Sequence, residues 1–557
     1  MKLKTYLGAI ALMSTLAAGT AHARIDVSAV AATHKASALP KDWNRTAAFT
    51  EIFVRSYKDS NGDGIGDFKG LTSQLDYLKD LGITGIWLMP MNPSQDGDHG
   101  YAVNDYRAVD PDYGTMADFE EFLDEAHKRG IGVIIDFVVN HSGSGNAIFL
   151  DAAKSKSSPY RDWYLFADSN PGWYDQNMRG VSGAYWSDPW KPVPKVVPGG
   201  EGLYYGVFDT TMPDLNLRNP KVIAYLQDSM RFWMNKGVDG FRLDAVTMLL
   251  EDGKAAYFNN SGNPTIVKAF KDVVDEYDNR YLICEVSEGR ELYLDVCTAF
   301  AYGVQQHLIA GIKNGVIAPE VIAFLEDPRR DLMPLALQSH DAYVGDRLTN
   351  QFGVNGDASY KVAAAVSILV SATPFGYYGE EIGMSNGGTY NDPGIRSPMS
   401  WTGEVLKQRS GSTSTKVAAA GFSTVMPYRD PAINFASQNV ASQTGDPSSI
   451  LEYYRAIYAV RKAHPVLATG TFKLLSKAGD PVLAFSRTDT KETVVVAINV
   501  SDAMQSVTVD AGVKNARLGQ AFKAPDAAAA PEVTSDKSGQ ARVQLAPKSL
   551  QVLVKAH

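Results

Sequence analysis

Eight apolar runs of strand length constrain this chain more than any other feature, at 49–55, 83–89, 131–139, 238–243, 280–286, 298–305, 334–338 and 373–378. They are continuous rather than alternating. A strand reads that way when both of its faces are buried, as in a parallel sheet. Helical patterns lie between most of them, such as 116–129 and 220–236. Eight β-then-α units over about 400 residues predict an α/β chain built on a (β/α)8 TIM barrel. A doubly wound open sheet satisfies the bare pattern as well.

The spacing of the runs marks out the domains. The barrel is expected at 45–141 and 215–465, after an N-terminal segment at 24–44. The third and fourth runs are too far apart for a simple loop, so 142–214 is read as an inserted subdomain. It holds Trp163, Trp173, Trp186 and Trp190, half of the 8 tryptophans, with Tyr164, Tyr174, Tyr185, Tyr204 and Tyr205. Several of these rings are expected to face a cleft, where aromatic faces suit sugar rings. Beyond 465 the pattern changes to short runs with polar turns, at 482–486, 493–498, 506–509, 542–545 and 550–554. This predicts an all-β sandwich domain at 466–557, with a low-complexity loop at 527–531.

Lys2 and Lys4, an apolar run at 6–18 and the small-x-small site Ala21-His22-Ala23 form a secretory signal at 1–23. A secreted or periplasmic location follows. No later stretch has the uninterrupted apolar length of a membrane span, so no membrane attachment is expected after cleavage. With 53 Lys+Arg against 62 Asp+Glu the net charge is −9, which argues against a nucleic-acid partner. A monomer is expected. Cys284 lies in an apolar run and is read, with Cys297, as a buried free thiol rather than half of a disulfide.

In a barrel of this kind, chemistry belongs at the C-terminal ends of the strands. The third run ends Asp136-Phe137-Val138-Val139-Asn140-His141, and the fourth ends Arg242-Leu243-Asp244. The fifth ends Cys284-Glu285, and the seventh Gln338-Ser339-His340-Asp341. A carboxylate at the end of a buried strand is costly unless it is solvated, paired or hydrogen-bonded. Four in register on one rim are read as a single site. Glycoside hydrolysis needs such a set: one carboxylate as nucleophile or base and one carboxylic acid. Arg242 shares a strand face with Asp244 and would keep it ionised.

These four segments, in this order, resemble the conserved regions of the α-amylase family, glycoside hydrolase family 13. Met212-Pro213-Asp214-Leu215-Asn216 resembles the family's fifth segment, with wording intermediate between oligo-1,6-glucosidases and neopullulanases. His99-Gly100-Tyr101 and the segments 376–381 and 396–401 also resemble family motifs. The resemblance implies a retaining mechanism through a covalent glycosyl-enzyme. It makes Asp244 the nucleophile, Glu285 the acid/base and Asp341 the transition-state stabiliser. It places Tyr101, His141, Arg242 and His340 against the reacting sugar or the nucleophile, and Asp98 and Arg396 on the next hydroxyls. The chain departs from the pattern at Ser339, Cys284 and Thr247-Met248. The last change bears on how the leaving-side sugar is held.

The segment Asp59-Ser60-Asn61-Gly62-Asp63-Gly64-Ile65-Gly66-Asp67 follows a strand and alternates oxygen ligands with small residues. Gly70 stands where an EF-hand has its last carboxylate, so a full EF-hand is excluded. Asp59, Asn61, Asp63, Asp67 and the Ile65 carbonyl suit a structural Ca2+, with Mg2+ second. The same loop occurs in oligo-1,6-glucosidase-like members of the family.

The expected activity is α-amylase-type hydrolysis of internal α-1,4-glucosidic bonds in an α-glucan or maltooligosaccharide. Ala245, a small residue after the nucleophile, resembles α-1,4 enzymes. An exo-acting α-glucosidase, a cyclomaltodextrinase-like enzyme and an α-glucan transglycosylase share the same three carboxylates. A non-catalytic binding protein on this fold would have lost them.

Overall fold

A computed structural model describes residues 25–33, 37–96, 99–173, 188–195, 197–254, 257–353, 356–389, 391–410, 413–526 and 532–555. The signal segment 1–23, Asp98, the stretch with Tyr174, Tyr185 and Trp186, and the loop 527–531 lie outside these residues.

A curled seven-stranded parallel sheet forms the barrel wall. Its spatial order is Phe375–Tyr377, Phe49–Ile52, Gly85–Leu88, Gly132–Val138, Gly240–Asp244, Tyr281–Cys284 and Thr298–Ala299. The (β/α)8 reading therefore holds. The strands are buried along almost their whole length, as their continuous apolar character requires. Local chemistry delimits the helices packed outside. In Met116–Lys128, Thr115 and Asp118 form a reciprocal capping box. In Pro220–Lys236, the Asn219 side chain caps the start and Gly237, at φ 118°, ends it.

Three expected strands differ in extent. The first stops at Ile52, and Val54–Tyr57 makes one helical turn before the 59–67 loop, which therefore does not follow a strand directly. The sixth is only Thr298–Ala299. Gly303, at φ 91°, turns the chain, and the last two residues of the run, Val304 and Gln305, are buried at the start of the helix Val304–Asn314. The seventh, 334–338, is a single bridge between Ala336 and Phe375. Pro334 has no N–H for a ladder, and Leu335 N donates to the Ser371 hydroxyl instead of a strand.

The insert carries a three-stranded antiparallel sheet of Phe166–Ala167, Leu203–Tyr205 and Trp190–Pro192. Its rings are mostly core. Trp163, Tyr164 and Tyr204 join the main core, while Trp190 and Tyr205 pack with Val207 and Met248, and Trp173 leans on them. None of these described aromatics lines the cleft described below, contrary to expectation. Sequence alone does not separate a ring that fills a mini-core from one that meets a ligand.

After residue 470 every strand is antiparallel. A six-stranded sheet runs Thr471–Leu474, Val482–Thr488, Thr493–Asn499, Leu550–Lys555, Arg517–Gln520 and Val533–Thr534. The pair Gln505–Asp510 and Gln540–Leu545 faces it across a separate apolar core.

Cys284 and Cys297 form a disulfide, which corrects the free-thiol reading. The reason is parallel pairing of the Cys284 strand with the strand that begins just after Cys297. Cys284 sits opposite Ala299, two residues beyond Cys297, and the two Cα atoms lie 6.0 Å apart. Among the described residues no helix is long and apolar enough to cross a membrane.

Candidate active site

The strand ends converge on one cleft of about 700 Å³. Its lining includes Tyr101, His141, Asp244, Glu285, Asp341 and Arg396. Residues two apart on a strand share a face, so Arg242 and Asp244 both point to this rim. Arg242 is fully buried. Its Nη1 donates to Asp244 Oδ1 at 2.7 Å and to both Asp136 oxygens at 2.9 and 3.0 Å. Its Nη2 ion-pairs with Glu285 Oε2 at 2.9 Å.

Glu285 Oε2 also accepts the backbone N–H of Ala245 at 2.9 Å. That N–H is presented by a left-handed backbone at Ala245, φ 51°. Glu285 Oε1 is 2.6 Å from the Tyr343 hydroxyl.

On the other side, His340 lies between two carboxylates. Its Nδ1 bonds Glu51, and its Nε2 is 3.1 Å from Asp341 Oδ2 and 2.7 Å from the Tyr101 hydroxyl. Tyr101 stacks on His340 with an interplanar angle of 18° and donates to Asp136 at 2.9 Å. Arg396 donates through Nε to the His340 carbonyl and reaches Asp341 Oδ1 through Nη2 at 3.3 Å. The Ser339 hydroxyl accepts the Asp341 N–H. Thr247 and Met248 line the cleft beside Asp244.

The electrostatics divide the site. Burial pushes the Asp244 carboxyl well up, opposed by Arg242 and reinforced by Glu285, Asp136 and Asp341. Burial likewise takes Asp136 up to about 6 against the pull of Arg242 and His340. One guanidinium facing three buried carboxyls favours keeping a proton within the group, and an acid/nucleophile pair needs such a proton. Asp341 behaves oppositely. Burial works upward on it, but His340, Arg396 and Arg242 together hold it well below the ordinary carboxylate range. His340 is raised to about 10, because Asp341 and Glu51 outweigh the cost of burying its charge. His141 is taken down to about 3, by burial first and by nearby His99 second, so it is neutral. Among the described residues its buried Nε2 has no hydrogen-bond partner, and the ring lines the cleft.

Every described candidate from the sequence except the 59–67 loop thus meets in this one place. Glu51 and Tyr343 belong to the same network and were not among the candidates, while Asp136 was counted on the rim without a role of its own. A signal for Glu51 exists: like Asp136, it is a lone acid inside an otherwise apolar or neutral strand. Phe208, half exposed, lies 5.2 Å from the His141 ring and lines the cleft.

The 59–67 loop lies apart from the cleft and carries the hard oxygen donors that Ca2+ prefers. Its carboxylates are also bonded internally. Asp59 accepts from the N–H groups of Asn61, Gly62 and Gly64 and from the Ser423 hydroxyl. Asp63 accepts from Ile65 N, and Asp67 from Ser60 and Gly70 N. Among the described residues no three His, Cys, Asp or Glu side chains converge as a metal-holding group.

A family model described as the alpha-amylase catalytic domain matches residues 51–307 and 322–470. Alpha-amylase 3 of Dictyoglomus thermophilum is 33% identical over 473 residues, covering 82% of this chain and 85% of that protein. An oligo-1,6-glucosidase of Parageobacillus thermoglucosidasius is 31% identical over 526 residues, covering 83% and 91%. The crystal structure of an alpha-amylase from H. orenii matches with a TM-score of 0.74 at 30% identity, covering 92% of this chain and 99% of that one.

Proposed function

The chain belongs to the α-amylase family of glycoside hydrolases, and from that premise we propose that it cleaves internal α-1,4-glucosidic bonds of starch and maltodextrins with retention of configuration. The observation that carries this is the convergence of Asp244, Glu285 and Asp341 on one cleft, with Arg242 bonded to Asp244. In the proposed cycle Asp244 attacks the anomeric carbon while Glu285 protonates the departing oxygen. Asp341, kept ionised by His340 and Arg396, stabilises positive charge on the sugar. Tyr101 and the neutral His141 hold that sugar, and Arg396, with Asp98, holds the next hydroxyls. Water then enters from the Glu285 side and releases the product.

The α-1,4 preference rests on Ala245. An oligo-1,6-glucosidase among the relatives supports a second reading, an exo-acting α-glucosidase. A secreted or periplasmic location, supported by the 1–23 segment, and a Ca2+ held by Asp59, Asn61, Asp63, Asp67 and the Ile65 carbonyl complete the proposal.

Product analysis on soluble starch, maltotriose, isomaltose and pullulan tests it. A ladder of oligosaccharides from starch supports internal cleavage. Glucose as sole product, or rapid cleavage of isomaltose, overturns it in favour of the second reading. Glu285→Gln is expected to abolish hydrolysis of maltoheptaose with the fold intact, and full activity in that variant would remove the acid/base assignment.

A further inference from the structure

The two oxygens of Glu285 have different kinds of neighbour. Oε2 faces the Ala245 N–H at 2.9 Å and the Arg242 guanidinium at 2.9 Å. Both are donors without a lone pair, so neither can accept a proton from a carboxylic acid. A proton on Oε2 would stand donor against donor. Oε1 faces the Tyr343 hydroxyl at 2.6 Å. A hydroxyl both donates and accepts, so it is compatible with either protonation state. Of the two oxygens, only Oε1 has a neighbour that can accept a proton.

We propose that Tyr343 is the positioning residue of the acid/base: its hydroxyl accepts from Glu285 Oε1–H before bond cleavage and rotates to donate to Oε1 afterwards. This rests on Glu285 being the acid/base. In the first step an Asp244 oxygen bonds to the anomeric carbon and the glycosidic C–O bond breaks. The proton on Oε1 passes to the departing oxygen, and the Tyr343 O–H turns to the carboxylate left behind. In the second step water gives a proton to Oε1 and its oxygen bonds to the anomeric carbon. The bond to Asp244 breaks, and Tyr343 returns to accepting.

Four further observations suit Tyr343 to this task. It lines the cleft beside Glu285. Its ring stands edge-on against Tyr302 at 5.7 Å, which limits where the hydroxyl can go. Burial, with the Glu285 charge adding, keeps the phenol protonated far above its ordinary range. It also lies two residues after Asp341, so one short segment supplies the transition-state stabiliser and the partner of the acid. The other charged or titratable groups facing Glu285 are Arg242 and Asp244 from its neighbouring strand, Tyr302, and Asp341 across the cleft.

The test compares Tyr343→Phe with wild type on two leaving groups. One is maltotriose, whose departing sugar needs a proton. The other is a nitrophenyl α-maltoside, whose phenolate leaves without one. The variant should lose roughly tenfold or more in kcat/KM on maltotriose and far less on the activated substrate. The alkaline limb of the maltotriose profile should move to higher pH, because the bond lost from the ionised carboxylate is charge-assisted and stronger than the one lost from the acid. Equal losses on both substrates with an unmoved limb would mean that the ring only fills space, and would overturn the proposal. Circular dichroism and the melting temperature check the fold. Tyr343→Trp, which fills the space without a hydroxyl in that place, should behave like Tyr343→Phe, and a wild-type pH limb in both variants would also overturn it. Glu285→Gln run alongside separates the two failures. If that variant stays active on maltotriose, the acid/base reading itself falls; if it is dead while the Tyr343 variants show no leaving-group dependence, only this inference falls.

Discussion

Arg242 Nη1 stands 2.7 Å from Asp244 Oδ1, and both side chains leave the same face of one five-residue strand. The guanidinium is thus tied to the Asp244 carboxyl by covalent geometry as well as by charge. It is also the sole cation, among the described residues, that touches Asp136, Asp244 and Glu285 together.

Arg242→Leu should therefore cost both stability and activity. Removing one partner of a buried ion cluster typically costs about 3–5 kcal/mol, because uncompensated charge stays behind. Urea unfolding should show a loss of that order, and kcat should fall by more than about a hundredfold. Near wild-type values in either assay would contradict the arrangement.

His141 should act on substrate and hardly on folding. Its buried Nε2 has no partner among the described residues, so the protein has no hydrogen bond there to lose. His141→Asn is expected to lower kcat/KM by roughly ten- to a hundredfold, the worth of one to two good hydrogen bonds, with a melting temperature close to wild type. A large fall in melting temperature with unchanged kinetics would refute this.

The His340 site predicts how stability responds to alkali. Its value rises from 6.5 to about 10 in the folded chain, so folding favours the protonated form. That contribution is complete below pH 6.5 and is lost as pH climbs toward 10. Asp341, held low, carries the acid side of the same ion pair: its contribution is present above 3.8 and lost on acidification below it. Wild type should lose unfolding free energy between pH 6.5 and pH 10, and His340→Gln should lose less. Parallel curves for the two proteins would rule the linkage out.

Calcium in the 59–67 loop predicts that EDTA lowers the melting temperature of wild type. Asp63→Ala should lower it beforehand and abolish the response to EDTA. A melting temperature indifferent to both treatments would remove the metal.

The disulfide between Cys284 and Cys297 spans 13 residues and begins one residue before Glu285. Closing a loop of about that length stabilises by roughly 2–4 kcal/mol. Cys297→Ser should lose stability of that order. Unfolding midpoints that match wild type under oxidising conditions would show the bridge to be energetically idle.

Much of the site was legible because its residues sit at strand ends, where charge interrupts an apolar run. Asp244, Glu285 and Asp341 each announce themselves that way. Asp136 and Glu51 lie within strands, and their function depends on Arg242 and His340 arriving from other strands, which no local pattern states. Tyr343 lies in irregular backbone with no period to read. Two of the three strands that differ in extent follow from a general ambiguity: at 298–305 and 334–338 an apolar run is buried equally well as helix or as coil packed on the core. The disulfide was missed because 12 intervening residues hide that Cys297 immediately precedes the strand that pairs in parallel with that of Cys284. The aromatic insert shows the reverse error, with rings assigned to ligand that the core had claimed.

The seventh barrel position is one bridge at Ala336, supported by a backbone bond from Ala301 N to the Pro334 carbonyl. Asp244, by contrast, ends a strand paired along both edges. The three acidic groups are therefore unequally stiff. In amide hydrogen exchange, protons near Asp341 and Tyr343 should be surrendered well before those around Asp244. The cleft thus has one rigid wall, which carries Asp244, and one wall that can give.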